Sequence, residues 1–552
     1  MSYSSVVQKK TLLVSFNRNF LCKVKNNNGS WCKLTTPSAA NGSTSGHILS
    51  SQRFLHHGAR ETVFDSRNTS FSKPNVLYCQ SKQGRYKQPG SHSSLSVHSG
   101  RVDVEDQPPS WLFVSPAVAG AYGAQVNVEL DLEERLGEEM LQALRENVKL
   151  RGLSMDIDGL LQNFRRLQRM QQEKAALVSQ KDEILQQFKL LKESSSSENS
   201  EETKKHLSKE LRSVKAEIAA FRSSWDLEEK VMLEALRLPN HLHWSTPLRD
   251  TTVLREAKST IESTNALSHV EIAKNFDLIK FSNVGPKAYY LKKDLVLAEM
   301  ALTSTVCDFL QDRGYRQMNG PEFVKTPVVE GCGGDVQDGH EVLTMLDPHK
   351  TVVEPMNHLS GVSLHMFAAY VAKTCIGDSM LPLRMFGCGR RYQNSDLPGL
   401  FGAVQSMQAS LFSCVKEEDV ERQFEDSLEL VWKFLLGFGF NLRLRKVCAR
   451  DLRREETRRV EIDIFSPSLQ QPIPVASVRD VGDYISRRLM VTHNQNHADI
   501  RTARRLHMIH GTVLNITSFL ALWMEHSCTE KDNYVLCKLP PVESRIGMSP
   551  SS

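Results

Sequence analysis

The 552-residue chain has no two cysteines at Cys-x-x-Cys spacing; its 11 cysteines stand singly from Cys22 to Cys537. That excludes a zinc ribbon or a dithiol redox motif and leaves reduced, structural thiols. The chain also lacks a glycine-rich loop ending in Lys-Ser/Thr and a Gly-x-Gly-x-x-Gly fingerprint, so neither common phosphate-cradling loop is available. Long apolar runs are missing as well. The uncharged stretch from Trp111 to Val128 is interrupted by Ser115, Pro116, Gly120, Gly123, Gln125 and Asn127, which makes it a poor membrane span. Excess charge of one sign is small, at +5, so any binding of a polyanion must come from a local patch.

One absence is local. No aspartate or glutamate occurs from Met1 to Arg60, while Lys9, Lys10, Arg18, Lys23, Lys25, Lys33, Arg53 and Arg60 are spread among Ser, Thr and Asn. A basic, serine-rich, acid-free leader predicts a mitochondrial transit peptide. The segment from Glu61 to Pro109 is rich in Ser, Gln, Gly and Pro and reads as linker, so residues 1–105 are expected to lie outside the folded domains. The remaining length and the 40% hydrophobic content suffice for two or three buried cores.

From Ile157 onward the pattern is helical. Leu207, Leu211, Val214, Ile218, Phe221 and Trp225 step by 4, 3, 4, 3 and 4, which predicts a heptad seam. Leu160, Phe164, Leu167, Met170, Leu177, Ile184, Phe188 and Leu191 form a broader stripe before it, and the Ser194 to Ser200 cluster supplies a break. The expectation is an antiparallel helical hairpin within residues 106–250, a coiled-coil arm with each helix on the order of 50 Å long at about 1.5 Å per residue; Pro239 ends the second helix. Basic side chains on this arm are Arg165, Arg166, Arg169 and Lys174, then Lys204, Lys205, Lys209, Arg212, Lys215 and Arg222. On an ordinary coiled coil such residues form a solvated face paired with acids such as Glu173, Asp182, Glu210 and Glu217.

Residues 251–545 read as strands interrupted by helices, with a short tail at 546–552. Val352 to Val353, Leu383 to Cys388 and Ala403 to Val415 are predicted strands; Val420 to Leu436 and Phe519 to Glu525 are predicted helices. The fold class is therefore α+β, an antiparallel sheet flanked by helices behind a helical arm.

Three segments of this body resemble, in order and spacing, motifs 1, 2 and 3 of the class II aminoacyl-tRNA synthetases, and specifically of mitochondrial seryl-tRNA synthetase. They are GYRQMNGPEFVKTPVVEGCG from Gly314, LPLRMFGCGRRYQ from Leu381 and HMIHGTVLNITSFLALWMEHS from His507; GDYISRRL from Gly482 resembles the family's run before motif 3. The match is nearest to the degenerate seryl-tRNA synthetase-like branch of insect mitochondria, held to lack synthetase activity. The resemblance implies a class II sheet, a tRNA-gripping arm and a dimer interface around motif 1, with Gly314 and Pro321.

The chemistry of that family says which charges the site needs. Activating serine brings a carboxylate against the α-phosphate of ATP, so the site must supply fixed cations, acids for magnesium and an acid for the substrate ammonium. Aligned to the family, Leu364 stands for the ammonium-binding Glu and Val362 for its Thr; Gly402 for an Arg, Val404 for a His, and Ser410 for the Glu that holds nucleotide and metal. Pro474 replaces the acid before the serine loop and Ser518 the motif 3 Arg, while Glu525 survives. The motif 2 Arg aligns with Gln393 and its acid with Ser395; a gap of two places Arg391 there instead. Ser477, Asp483, Arg487 and Arg488 fit the family pattern, though paired arginines beside acids are more often plain ion pairs.

The resemblance thus implies a catalytically silent protein of the mitochondrial matrix that binds tRNA, serine tRNA first, and dimerises with itself or with mitochondrial seryl-tRNA synthetase. No metal and no cofactor are expected. ATP and magnesium enter only under the alternative, an active mitochondrial serine-tRNA ligase.

Overall fold

The computed structural model describes residues 110–113, 128–193, 199–221, 224–258, 267–282, 284, 287–336, 342–345, 355–494 and 504–527. These all lie in one unit, Ser96–Ser552. The leader, the linker, the C-terminal tail, the Val352–Val353 strand and Arg222 lie outside the described residues.

Five helices build the arm and its base: α1 Leu132–Arg135, α2 Glu138–Leu150, α3 Ile157–Glu193, α4 Asn199–Ala220 and α5 Ser224–Leu236. Asp156 starts α3 by accepting the Gly159 amide at 2.8 Å, satisfying a first-turn donor. At 37 residues α3 is about 55 Å long. Its apolar stripe serves two partners. Ile157, Leu160 and Leu167 pack with Leu144 and Val148 of α2 and Val231 and Ala235 of α5, whereas Ile184, with Leu177 and Phe188, meets Leu207 and Val214 of α4. The hairpin expected from the heptads is present at its outer part; at its root the stripe belongs to a three-helix base. The outer seam is thin: three buried side chains, at about 1.5–3 kcal/mol each, hold it together.

The body runs β1 Thr252–Ala257, α6 His269–Asn275, β2 Ile279–Ser282, β3 Ala288–Leu291, α7 Asp294–Gln311, β4 Arg316–Gln317, β5 Phe323–Lys325, α8 Thr326–Gly331, β6 Leu343–Met345, β7 Asn357–Leu359, α9 Leu364–Val371 and β8 Cys375–Gly377. It continues with β9 Leu383–Tyr392, β10 Gln405–Val415, α10 Val420–Leu436, β11 Leu442–Lys446, β12 Arg458–Ser466, β13 Gln471–Gly482, α11 Tyr484–Leu489, β14 Thr492–Asn494, β15 Arg504–Arg505, β16 His507–Asn515 and α12 Ile516–Ser527. Eight strands form one sheet in the order β1-β11-β12-β13-β16-β10-β9-β4. Its pairings are antiparallel except for β4, which joins the edge of β9 in parallel.

One sheet face is apolar and carries α7, α10 and α12 on Phe386, Leu411, Ile462, Val478 and Val513. The alternate residues of the same strands are polar in the middle of the opposite face, where the site lies. The motif 2 strand was expected to start at Ala403; it starts at Gln405, because Gly399–Gly402 closes a 3-10 turn first.

The arm is tied to the body by its base. Arg151, just after α2, donates to the carbonyls of Asn240, Arg453 and Glu456, and Asn240 donates to those of Glu455 and Val481 at 2.9 Å each. Ser110 to Leu112, placed with the arm by sequence, are bound to the body: Glu330 of α8 accepts the Ser110 hydroxyl and the Trp111 and Leu112 amides at 2.9–3.1 Å. Glu330 of the motif 1 run thus has a structural task apart from any subunit interface.

Candidate functional site

Strand register assembles the floor of the site. Across β12, β13, β16, β10 and β9 one row reads Glu461, Ser477, Thr512, Ser410 and Gly387, and the next reads Arg459, Arg479, His510, Phe412 and Met385. Gln408 and Gly389 follow on the other side, opposite Asn515. Of these, Gln408, Arg459, Glu461, Ser477, Arg479 and Thr512 line a trough of about 350 Å³, together with Gln393, Pro474 and Asn515. Beside it is a cavity of about 20 Å³ lined by Ser360, Leu364, Arg391 and His510, room for about one water.

Of the positions that the resemblance marks as degenerate, Gln393 and Pro474 line the trough and Leu364 lines the small cavity, while Leu364, Gly402, Ser410 and Ser518 are buried. Leu364 opens α9, is 6% exposed and packs with Val362, Met366 and Phe412. Hydrocarbon thus occupies the position that the resemblance assigns to the ammonium-binding acid. The preceding loop is clamped on the edge of β9: Val362 donates to the Arg390 carbonyl at 2.8 Å, and Gly361, at φ 60°, lies so close that a Cβ would come within 2.0 Å of that oxygen. Gln408 donates to the Val362 carbonyl at 2.6 Å and to the buried Ser410 hydroxyl at 3.0 Å, closing the space a longer acidic side chain would need.

Gly402 is more than a truncated arginine. A Cβ there would lie 1.7 Å from the Leu397 carbonyl oxygen, so no side chain fits this turn without moving the backbone. Gln393 donates its amide to Val404 and lines the trough, as does exposed Pro474 at a bulge of β13. Ser518 sits in the first turn of α12, where its amide donates to the Asn515 side chain at 3.1 Å; its neighbour Thr517 accepts the Met407 amide at 2.7 Å. Arg391 and Gln393 point to the same sheet face, two residues apart.

The site's acids are already engaged. Glu456 binds Arg459 at 2.8 Å and Arg479 at 3.1 Å, and Glu461 and Asp463 bind Arg445. Burial pushes the Glu455 carboxyl up to about 7, with Glu456 adding to it. Burial and the neighbouring Arg453 and Arg479 charges push the Arg391 guanidinium down to about 9. Arg453, Arg459, Arg479, Glu455, Glu456 and His510 were not singled out from sequence. The alternation in Arg459-Val460-Glu461-Ile462-Asp463 and in His510-Gly511-Thr512 was the available signal.

The surviving acid of motif 3 has a structural task. Glu525 is fully buried and accepts the Ser466 hydroxyl at 2.6 Å, the Ser468 hydroxyl at 2.7 Å, the His269 amide at 3.2 Å and pairs with His269 Nδ1 at 2.8 Å. His269 Nε2 in turn accepts the Leu400 amide, so one carboxylate joins α6, the β12–β13 connection and the motif 2 turn. Burial pushes this carboxyl up, but the hydrogen bonds outweigh it and hold it below its ordinary value of 4.5. Its contribution is therefore present above pH 4.5 and lost as pH falls through the lowered value. We expect Glu525→Ala to cost about 3 kcal/mol or more, read as a lower denaturation midpoint whose deficit shrinks in acid. An unchanged midpoint at neutral pH would remove this role.

Arg487 pairs with Asp131 and with Asp483, and Arg488 is buried over the Tyr484 ring at 3.4 Å; both tie the arm base to the body. On the arm, Arg165, Arg166, Arg169, Lys205, Lys209, Arg212 and Lys215 are exposed, and Lys174 and Lys204 are half-buried. Apart from Lys204, these make no ion pair among the described residues. Lys205, Lys209 and Arg212 fall at i, i+4 and i+7, opposite the Leu207–Val214 seam. Gly314, at φ 81°, follows α7, and exposed Pro321 lies between β4 and β5. Among the described residues no helix is long and apolar enough to cross a membrane.

Residues 347–527 match the tRNA synthetase class II core domain (G, H, P, S and T). Among curated proteins, the serine–tRNA synthetase-like protein Slimp of Drosophila melanogaster is 25% identical over 425 residues, covering 74% of this chain and 86% of that one. The mitochondrial serine–tRNA ligase of Mus musculus is 23% identical, covering 69% and 76%. Among solved structures, seryl-tRNA synthetase of Pyrococcus horikoshii superposes with a TM-score of 0.61 at 17% identity over 72% of this chain and 94% of that one. The cytoplasmic serine–tRNA ligase of Naegleria fowleri gives 0.62 at 17% identity, over 76% and 97%. The eight-stranded sheet with its helices thus has the fold of the seryl-tRNA synthetase structures, residues 347–527 of it match the class II core domain, and over about three quarters of its length the chain is similar to seryl-tRNA synthetase-like proteins.

Proposed function

We propose that this chain is a catalytically silent seryl-tRNA synthetase-like protein of the mitochondrial matrix, which holds tRNA on its arm and pairs through its body with a partner. The observation that carries the reading is the filled site: Leu364, Gly402, Ser410 and Ser518 stand where charges are needed, and the space around them is packed. Neither ATP nor magnesium is part of this function. The acid-free leader supports the mitochondrial address, as do relatives named as mitochondrial ligases. The exposed basic residues of α3 and α4 without ion-pair partners support a phosphate-tracking surface, with serine tRNA as its first candidate.

Pairing is supported by exposed apolar side chains on the elements around Gly314 and Pro321: Met300 of α7 at 63%, Tyr290 of β3 at 55% and Phe323 of β5 at 50%. A two-fold interface of the class II kind would cover them. The partner is a second copy or the active mitochondrial seryl-tRNA synthetase. We favour the mixed dimer, because a retained interface has more use beside an active site than beside another closed one. Co-expression of the mature chain with that synthetase, followed by mass measurement, is expected to give a 1:1 complex. A chain that runs alone or only with itself, leaving the synthetase's stability and activity unchanged, would remove the mixed dimer.

The second reading, an active serine-tRNA ligase, is favoured by the 350 Å³ trough and by Arg391 at its wall. The charges that would orient ATP, magnesium and serine there are the ones missing.

A further inference from the structure

Three arginines from separate parts of the chain converge beside the trough: Arg391 from β9, Arg453 from the turn before β12 and Arg479 from β13. Arg453 and Arg479 lie outside all three synthetase motifs. Of the neighbouring carboxylates, Glu456 pairs with Arg479 and also with Arg459 outside the group, and Glu461 pairs with Arg445 and Arg459. The guanidiniums of Arg391 and Arg453 have no ion pair and no hydrogen-bond acceptor among the described residues. Arg479 Nε and both ring nitrogens of His510, itself 1% exposed, also lack a partner.

Buried donors left without acceptors are costly, and here several of them line the same small space. That space, about 20 Å³, admits one oxygen atom and shares these arginines with the 350 Å³ trough, which has room for the rest of a ligand. Two guanidiniums outside any ion pair favour a doubly charged anion over a carboxylate.

We propose that Arg391, Arg453 and Arg479, with His510 at the cavity wall, form a cradle for one phosphate group, one oxygen seated in the cavity and the remainder in the trough. The cradle needs no nucleotide base and no magnesium. It is separate from the basic stripe on α4 and does not rest on the RNA reading of the arm. Glu455, which also lines the cavity, opposes the anion when ionised.

The group has two sources, a free phosphate ion or the terminal phosphate of an RNA. The test titrates the purified mature chain with inorganic phosphate at constant ionic strength in chloride, by calorimetry and by thermal shift. It is repeated with a 5′-phosphorylated trinucleotide and its 5′-hydroxyl counterpart. Binding of phosphate is expected, weakened about tenfold or more by Arg391→Gln and by Arg453→Gln and tightened by Glu455→Gln. Glu455→Gln decides the case if the arginine variants fold poorly, since a purely structural Glu455 would not affect anion affinity. A 5′-phosphorylated ligand that binds tighter than free phosphate assigns the RNA end; equal affinity assigns the ion. Phosphate that binds no better than chloride, serine that binds better than phosphate, or affinity indifferent to all three substitutions would overturn the cradle. Charge reversal on α4 leaves the phosphate result unchanged, so failure of the cradle and failure of the RNA-binding reading are distinguishable.

Discussion

Purified mature protein given serine, ATP, magnesium and mitochondrial tRNA is expected to form no seryl-tRNA above blank and to show no serine-dependent exchange of pyrophosphate into ATP. Each hydrogen bond to a charged group contributes about 1.5–3 kcal/mol, and each 1.36 kcal/mol is roughly tenfold in rate. Missing several such contacts therefore lowers turnover by about 10⁴-fold or more, even with the non-additivity such groups show. The structure adds that the losses are not independent vacancies. Leu364 is packed under Val362 and Phe412, Ser410 is tied to Gln408, and Gly402 has its Cβ direction blocked by Leu397. Leu364→Glu should therefore leave the protein inactive, because Gly402, Ser410 and Ser518 would still withhold the other charges. Gly402→Arg should fold poorly. An exchange rate above blank that Arg391→Ala abolishes would establish the active ligase instead.

Changing Lys204, Lys205, Lys209 and Arg212 to Glu is expected to weaken tRNA binding by about two decades or more at moderate salt. If these four residues neutralise four phosphates, wild-type affinity should itself fall by roughly two decades between 50 and 200 mM salt. The quadruple variant should lose most of that salt dependence. Helicity is the control: the seam of Ile184, Leu207 and Val214 is untouched, so the circular dichroism signal at 222 nm and its melting should be kept. Retention of tRNA by the variant, or wild-type binding indifferent to salt, would show that the arm is not the RNA surface and leave a purely structural partner subunit as the reading.

Much of the fold was legible in the sequence because its signals are local. The 4-3-4-3 spacing from Leu207 fixes which side of α4 is apolar wherever that helix packs. Val420–Leu436 forms the helix its pattern predicts, and alternation within HMIHGTVLN marks a strand with one polar face. The root of the arm was less legible. Leu160 and Leu167 carry the same spacing as Ile184 yet pack against α2 and α5, and an apolar stripe does not name its partner. The Glu330–Gly333 run read as interface because motif order pointed there; that Glu330 holds Ser110 to Leu112, some 220 residues away in the chain, has no local signal.

The sequence by itself determined that segments resembling the three class II motifs stand in order and that apolar or small residues stand at Leu364, Gly402, Ser410, Pro474 and Ser518. Residue type at a position needs no coordinates. Only the tertiary structure decided that Leu364, Gly402, Ser410 and Ser518 are buried while Pro474 faces the trough, and that Glu525 is a structural tie. It alone brought Arg391, Arg453, Arg479 and His510 to one cavity. The reason is register: a strand shows which residues share a face, but which faces meet depends on long-range pairing, where a slip of one residue would turn Arg391, Arg479 or His510 to the other side of the sheet.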